Sequence, residues 1–382
     1  MRLNKFLMFS AAALAFTACS NDEDAQMQNP NDNLPKKVTL SISNLQAPKD
    51  GTRALAPELA EGQVALKEAY VLFFDNGGNV VEVSDENKAK QQLNIQDIAD
   101  NPVTFESLPK EVQRVGVFAN YTTAGVDIKN ATSLTQLRGV NLNLANQQDV
   151  NDIYMAGAQQ LGAAETTGGV NFYKVNVAIN PYVSRLEIDG FNCTNFVTSA
   201  GDLHYTNIKV EQIAMNGYYK FKPVGGSPDG QQTVTDQNKF IDFLSQGAEE
   251  NPEADEFYKP AFTFDNVNNV ALTETAPSVD LDGQAYGYNF FNTTQAIGYP
   301  IPGLLVGMRV SSEQMTGEKN VYLQVNSYNI GGNVINTSEA GKIYRMTMAF
   351  TADNLQQYAT KDVEVTVTPA DWVVVPVTPN YQ

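Results

Sequence analysis

Two short segments at opposite ends of the 382-residue chain carry the same side-chain alternation. Near the start, Val38-Thr39-Leu40-Ser41-Ile42 sets Val38, Leu40 and Ile42 on one face of a strand. Near the finish, Val373-Val374-Val375-Pro376-Val377 does the same with Val373, Val375 and Val377. Successive strand side chains point to opposite faces, so either segment suits the same row of apolar sockets in a sheet. Between the first segment and the body lies Pro48-Lys49-Asp50-Gly51-Thr52-Arg53-Ala54, a polar turn with one basic protease site. A removable strand at one end and an interchangeable one at the other is the layout of a chain that polymerises.

The first residues read as a targeting segment, to be set aside before fold reasoning. Arg2 and Lys5 form a basic start, and Phe6 to Ala18 is apolar or small but too short to span a bilayer as a helix. The stretch ends in Phe16-Thr17-Ala18-Cys19, which resembles a lipobox with Phe in the place usual for Leu. Cys19 is then the lipidation site, and the acidic run Ser20-Asn21-Asp22-Glu23-Asp24 resembles the tether of a surface lipoprotein. With Cys19 lipidated, Cys193 stands alone and no disulfide can brace the body. Stability must come from core burial, and the 329 residues from Ala54 onward suffice for two domains.

The formal charge is −18; cutting after Arg53 removes six Lys/Arg and five Asp/Glu and leaves −19. Such a surface repels phosphate backbones, so nucleic acid is not an expected partner. The acidity suits an exported particle.

Along the body, short β-like runs recur at spacings of about 8–12 residues, the pattern of β-sandwiches. Glu68 to Phe74 and Val80 to Val83 flank the turn Asp75-Asn76-Gly77-Gly78-Asn79 and predict a hairpin. Val112–Ala119, Val170–Ile179, Val183–Phe191, Tyr205–Ile213 and Tyr218–Lys222 read as strands, as do Leu304–Val310, Asn320–Asn329, Ile343–Phe350 and Val363–Val367. Short helices are expected at Asp85–Leu93, Ser133–Leu137 and Asp236–Leu244, and long surface loops at 223–236 and 245–260. The domain join is placed at Pro181-Tyr182.

Catalytic chemistry is poorly supplied. The one histidine, His204, follows a Gly201 turn at the start of a strand, where a polar surface residue is the ordinary reading. A zinc site lacks ligands, and no phosphate-cradling glycine motif is found. Asp280-Leu281-Asp282-Gly283 could open a calcium loop but has no distal glutamate at EF-hand spacing, so it reads as a turn. The acidic run Glu249 to Glu256 reads as a solvated loop, and the lone Trp372 as the last packed residue of the body. The expectation is a non-enzyme with no catalytic residue, no metal and no cofactor.

Several motifs in order resemble the FimA-like major fimbrillins, the pilins of type V pili. They are the lipobox at Cys19, a strand before Arg53-Ala54, Ala69-Tyr70-Val71-Leu72-Phe73-Phe74-Asp75, and Val115-Gly116-Val117-Phe118-Ala119-Asn120. Tyr154-Met155-Ala156-Gly157, Val183 to Ile188, Gly341-Lys342-Ile343-Tyr344-Arg345 and the Asp371-Trp372 ending complete the set. The resemblance implies a mainly β fold of two transthyretin-like Greek-key β-sandwich domains with a few short helices.

It further implies a signal peptide (1–18), a lipidated propeptide (19–53) holding the removable strand 38–42, sandwich domains at 54–182 and 183–372, and a donor tail at 373–382. The chain would reach the cell surface as a precursor held to the outer membrane by lipid, palmitate included, on Cys19. An Arg-specific surface protease would cut between Arg53 and Ala54, removing Val38, Leu40 and Ile42 from their groove. The tail of an identical or related pilin, with Val373, Val375 and Val377, would then fill it by donor-strand exchange, giving an extracellular fimbrium for adhesion and colonisation.

Three buried apolar side chains would contribute roughly 5–8 kcal/mol at about 1.5–3 kcal/mol each. Pro376 cannot donate to a ladder and needs an outward place or a break in pairing. A host glycoprotein or bacterial surface receptor is a further expected partner. The alternatives are an accessory or tip subunit of the fimbria, or a monomeric surface lipoprotein that binds glycans through loops such as 223–236 or 249–260.

Overall fold

The structure, a computed structural model, describes residues 34–43, 55–57, 66–93, 102–150, 152–228, 264–293, 300–325, 327–330, 333–355, 365–366 and 368–371. The expected mainly β architecture is found, with strands gathered in several sheets.

The first sheet has the order β5 (Val103–Leu108), β1 (Lys36–Ser43), β10 (Val170–Ala178), β9 (Glu165–Thr167). The second runs β11 (Asn180–Pro181), β8 (Met155–Gln160), β6 (Arg114–Ala119), β3 (Ala69–Phe74), β4 (Gln92–Leu93). These two face each other. Phe73 of β3 meets Phe105 of β5 edge to face, their centroids 4.9 Å apart. Gly157 of β8 lies so near β10 that a Cβ there would stand 2.0 Å from the Ala178 carbonyl oxygen, which is why this position holds glycine.

The third sheet runs β2 (Leu55–Pro57), β17 (Gln284–Phe290), β12 (Ser184–Asn195), β22 (Lys342–Thr351), β24 (Thr368–Asp371), with β16 (Ser278–Asp280) also on β12. The fourth is β15 (Phe264–Leu272), β13 (Tyr205–Asn216), β18 (Gly303–Ser312), β19 (Lys319–Val325). Two small sheets complete the set: β7 (Asn141–Asn143) with β14 (Phe221–Pro223), and β21 (Asn333–Val334), β20 (Tyr328–Ile330), β23 (Val365–Thr366). Residues 55–57 fall in the span expected for the N-terminal domain, yet β2 pairs with β17, deep in the C-terminal half of the sequence. Polar contacts also tie the halves together: Gln148 Nε2 donates to the Asn289 carbonyl, and Asn289 Nδ2 to the Gln147 carbonyl.

Two of the short helices lie where side-chain caps specify them. In α1 (Asp85–Gln91) the Ser84 hydroxyl accepts from Asn87 N–H, with Asp85 and Glu86 in the first turn and Lys88 and Lys90 in the last. A short helix, α2 (Tyr121–Ala124), follows β6, and α3 (Leu134–Arg138) begins where Ser133 Oγ accepts from Gln136 N–H at 3.1 Å.

The expected hairpin is shortened. After Phe74 the turn forms, held by Asp75 Oδ1 accepting from Asn79 N–H at 2.8 Å, but residues 81–83 do not continue as a strand. Phe74 and Val80 form one antiparallel bridge and Val81 N–H donates to the Phe73 carbonyl, so the hairpin closes and then stops. β4 takes the same edge of β3 further along, at Ala69 and Tyr70. The strand read at Tyr218–Lys222 begins later, as β14, and pairs with β7. Turns are local and legible, while the partner strand is chosen by distant packing. The helix expected at 236–244 lies outside the described residues.

Candidate functional site

The site that the sequence points to most directly is the seat of β1. This strand is an inner one, parallel to β10 and antiparallel to β5. Val38 lies between Phe105 and Tyr173, and Leu40 between Val103 and Val175; Ile42 pairs with Val177. Val38 and Leu40 are fully buried and Ile42 is 7 % exposed. The alternate face is polar: Thr39 meets Thr104, hydroxyl to hydroxyl at 3.3 Å, and Ser41 Oγ donates to Asn176 Oδ1 at 3.3 Å. The residues predicted as the removable strand therefore fill a central slot whose loss would bare two ladders and one apolar row.

Lys36 shares the parity of Val38, and its side chain follows the apolar row into the interior, 1 % exposed. Its ammonium donates to the Val112 carbonyl at 2.6 Å and stands 5.6 Å from the centre of the Tyr173 ring. Lys37 points the other way and pairs with Glu106 at 2.7 Å. The hydrogen bond from Lys37, and then its charge, hold the Glu106 carboxyl below the usual carboxylate range. Sequence reading named the apolar triplet and passed over Lys36; strand parity alone would have found it.

Opposite Lys36 the β5 ladder slips. Lys36 pairs with Leu108 and Val38 with Phe105, so β5 carries an extra residue there. Ser107 sits in this bulge with φ 52°, a left-handed conformation that is uncommon for a residue with a side chain. Asn87 of α1, itself buried, braces it by donating Nδ2 to the Glu106 carbonyl at 2.6 Å and accepting from Glu106 N–H at 3.3 Å.

The other predicted site residues divide. Cys19, Arg53, Ala54, Trp372, Val373, Val375 and Val377 lie outside the described residues, as does the acidic loop 249–256. Ser43, the last residue of β1, and Leu55, the first of β2, bracket the Arg53-Ala54 bond. His204 lies at the surface, with Nε2 3.0 Å from Glu274 and Nδ1 3.5 Å from Glu313. Cys193 is buried, and burial pushes its thiol up to about 11, far from the reactive thiolate range. At 280–283 there is a turn, in which Asp282 N–H donates to Asp280 Oδ1 at 2.8 Å. Among the described residues no three His, Cys, Asp or Glu side chains are placed to hold a metal ion.

A charged cluster that sequence reading did not single out lies in the third sheet. Glu187, fully buried, accepts from Arg185 Nε at 2.8 Å and from Arg345 Nε and Nη2 at 3.0 and 2.8 Å. Gly287 makes room for it, since a Cβ there would stand 1.8 Å from Arg185 Nη2. Lys222, also buried, donates to Asn292 Oδ1, and burial pushes its ammonium down to about 8.

No family model and no curated protein matches this sequence. Solved structures do match its fold. A candidate cell adhesion protein from Bacteroides eggerthii aligns over 89% of this chain and 97% of its own, at 13% identity and a TM-score of 0.51. Another from Parabacteroides distasonis aligns over 90% of this chain and 98% of its own, at 9% identity and a TM-score of 0.50. This chain shares their fold. A fimbrilin from Porphyromonas gingivalis covers 91% of this chain and 100% of its own at 13% identity, with a TM-score of 0.49.

Proposed function

We propose that this chain is a structural subunit of a surface fimbria, with no catalytic activity. It is exported as a lipoprotein precursor on Cys19, cut after Arg53, and joined head to tail to identical or related subunits by donor-strand exchange. The observation that carries this reading is the position of β1. A strand at the far N-terminal end of the described chain is an inner member of its sheet, and its chain link to the body runs through residues 44–54. A cut there frees β1 from the chain, while β2 remains paired to β17 in another sheet. Departure of β1 would leave an open slot edged by β5 and β10, which β-augmentation by a neighbour's strand would close. Head-to-tail insertion does not close on itself, so the product is a filament. The shared fold with candidate cell adhesion proteins supports a role in attachment.

N-terminal sequencing of surface-extracted protein, with electrophoresis of unheated samples, tests this. The expected result is a mature start at Ala54 and an SDS-resistant ladder that disappears when residues 373–382 are deleted. Mature protein that keeps residues 20–53 and stays monomeric after protease treatment overturns it in favour of an anchored monomer.

A further inference from the structure

The apolar part of the seat is indifferent to which strand fills it, because valine, leucine and isoleucine rows are near equivalents. Its Lys36 end is not. There a backbone carbonyl, Val112 O, and the face of the Tyr173 ring both present negative potential toward one buried side chain. The bulge at Ser107 shapes this end, and Asn87 fixes the bulge from α1. The bulge residues, Asn87, Val112 and Tyr173 all lie outside β1.

The chain's own tail has nothing to offer this socket. After Lys361 the sequence contains no Lys, Arg or His. In the register that sets Val373, Val375 and Val377 where Val38, Leu40 and Ile42 lie, Asp371 takes the place of Lys36 and must first leave its pairing with Lys342 at the end of β24. A carboxylate would then face a carbonyl oxygen and an aromatic face, and all three repel negative charge. In the same register Pro376 takes the place of Ser41, one residue past Leu40, where the β5 ladder ends at Val103. Among the described residues the proline's seat is flanked by β10 alone; the aspartate has none.

We propose that the Lys36 end of the seat is a cation-recognition subsite. It takes a lysine or arginine lying two residues ahead of the first inward apolar residue of the strand in the slot. It thereby selects the donor strand of a different subunit that carries such a residue over the tail of a second copy of this chain. The inference rests on the strand-exchange reading for its donor, and on β1 itself for its chemistry.

The test uses the full chain with an engineered protease site within residues 44–52, nicked so that a labelled peptide of residues 34–43 exchanges with β1. Competition is then measured by fluorescence anisotropy. Lys36→Met in the competing peptide is expected to weaken it at least tenfold, roughly what loss of a charge-assisted hydrogen bond to a buried carbonyl gives. Lys36→Arg is expected to stay within about threefold, and so is Lys37→Met, which changes the exposed lysine. A peptide of residues 371–380 with Asp371→Lys is expected to enter at least fivefold better than the native one, an effect of similar origin.

Equal competition by the Lys36→Met peptide, or equal loss for Lys36→Arg, overturns the subsite. If the Asp371→Lys tail peptide gains nothing, the selection of donors is overturned. If neither tail peptide enters at all, the donor reading falls with it, while the 34–43 series still decides whether the socket reads charge. Hydrogen exchange of residues 36–43 in the uncut chain probes the same subsite without any peptide. Lys36→Met is expected to speed it and Lys36→Arg to leave it near wild type, and unchanged protection in Lys36→Met overturns the proposal.

Discussion

The first and last strands of the described chain, β1 and β24, meet their sheets in opposite ways. β1 is enclosed by β5 and β10 and sends Lys36, Val38, Leu40 and Ile42 inward. Among the described residues β24 is an edge strand, paired over four residues with β22, from Lys342↔Asp371 to Arg345↔Thr368. An inner strand cannot leave without opening its sheet, whereas an edge strand leaves the sheet shorter but intact. Removing β1 would open its sheet between β5 and β10, while removing β24 would only narrow the sheet it borders.

The largest test of that contrast is Leu40→Asp. It places a carboxylate at a fully buried position and forfeits about 2–5 kcal/mol of side-chain burial before any charge cost is added. Hydrogen exchange should show β5 and β10 losing protection while β12 and β22 keep theirs. Protection lost equally in all four would mean that β1 supports the whole molecule rather than its own sheet.

Next in size is Glu187→Gln, in the sheet to which β24 belongs. It leaves Arg185, 2 % exposed, without its carboxylate, at a cost of about 3–5 kcal/mol if the cation stays buried and less if the side chain swings out. Thermal unfolding should shift downward while a peptide of residues 34–43 exchanges as before. A change in that exchange would couple the two ends.

Truncation after residue 367 removes β24 and the tail together. With one short ladder lost from an edge, the expected effect on melting is well under that of Leu40→Asp, and equality of the two would erase the contrast between inner and edge strand.

The smallest effect is a pH dependence at the polar face of β1. Lys37 holds the Glu106 carboxyl below its usual value of 4.5, so the pair's contribution is present above that value and is lost as pH falls through the lower, folded-state value. Acid titration of wild type against Glu106→Gln should diverge only in that window. A divergence near neutrality would exclude this carboxylate as the source.

What the sequence made legible follows from range. Parity picked out Val38, Leu40 and Ile42, and capping residues placed α1 and α3, because those signals act within a turn or a strand. Pairing was not legible. The Asn-Gly-Gly turn after Phe74 forms and closes with a Phe74–Val80 bridge, but past Val81 its outgoing chain leaves for α1, and Val80 N–H is taken by Thr132, some fifty positions away. β15 was missed because Phe264–Leu272 is rich in asparagine, with Asn269 at φ 62° breaking the alternation. β17 was missed because Gly287 interrupts it, a glycine explained only by Arg185 from another strand. Lys36 was legible and overlooked, since a lysine in an apolar row reads as the row's end.

The parallel pairing of β1 with β10 also has a meaning in time. Ser41 and its partner Asn176 are 135 residues apart in the chain. The strand made first must therefore wait, apolar side out, until nearly half the protein has been synthesised before its second neighbour exists. Contacts of that range close late. During synthesis the molecule thus passes through a stage in which the strand that fills the slot is complete and the slot itself is not.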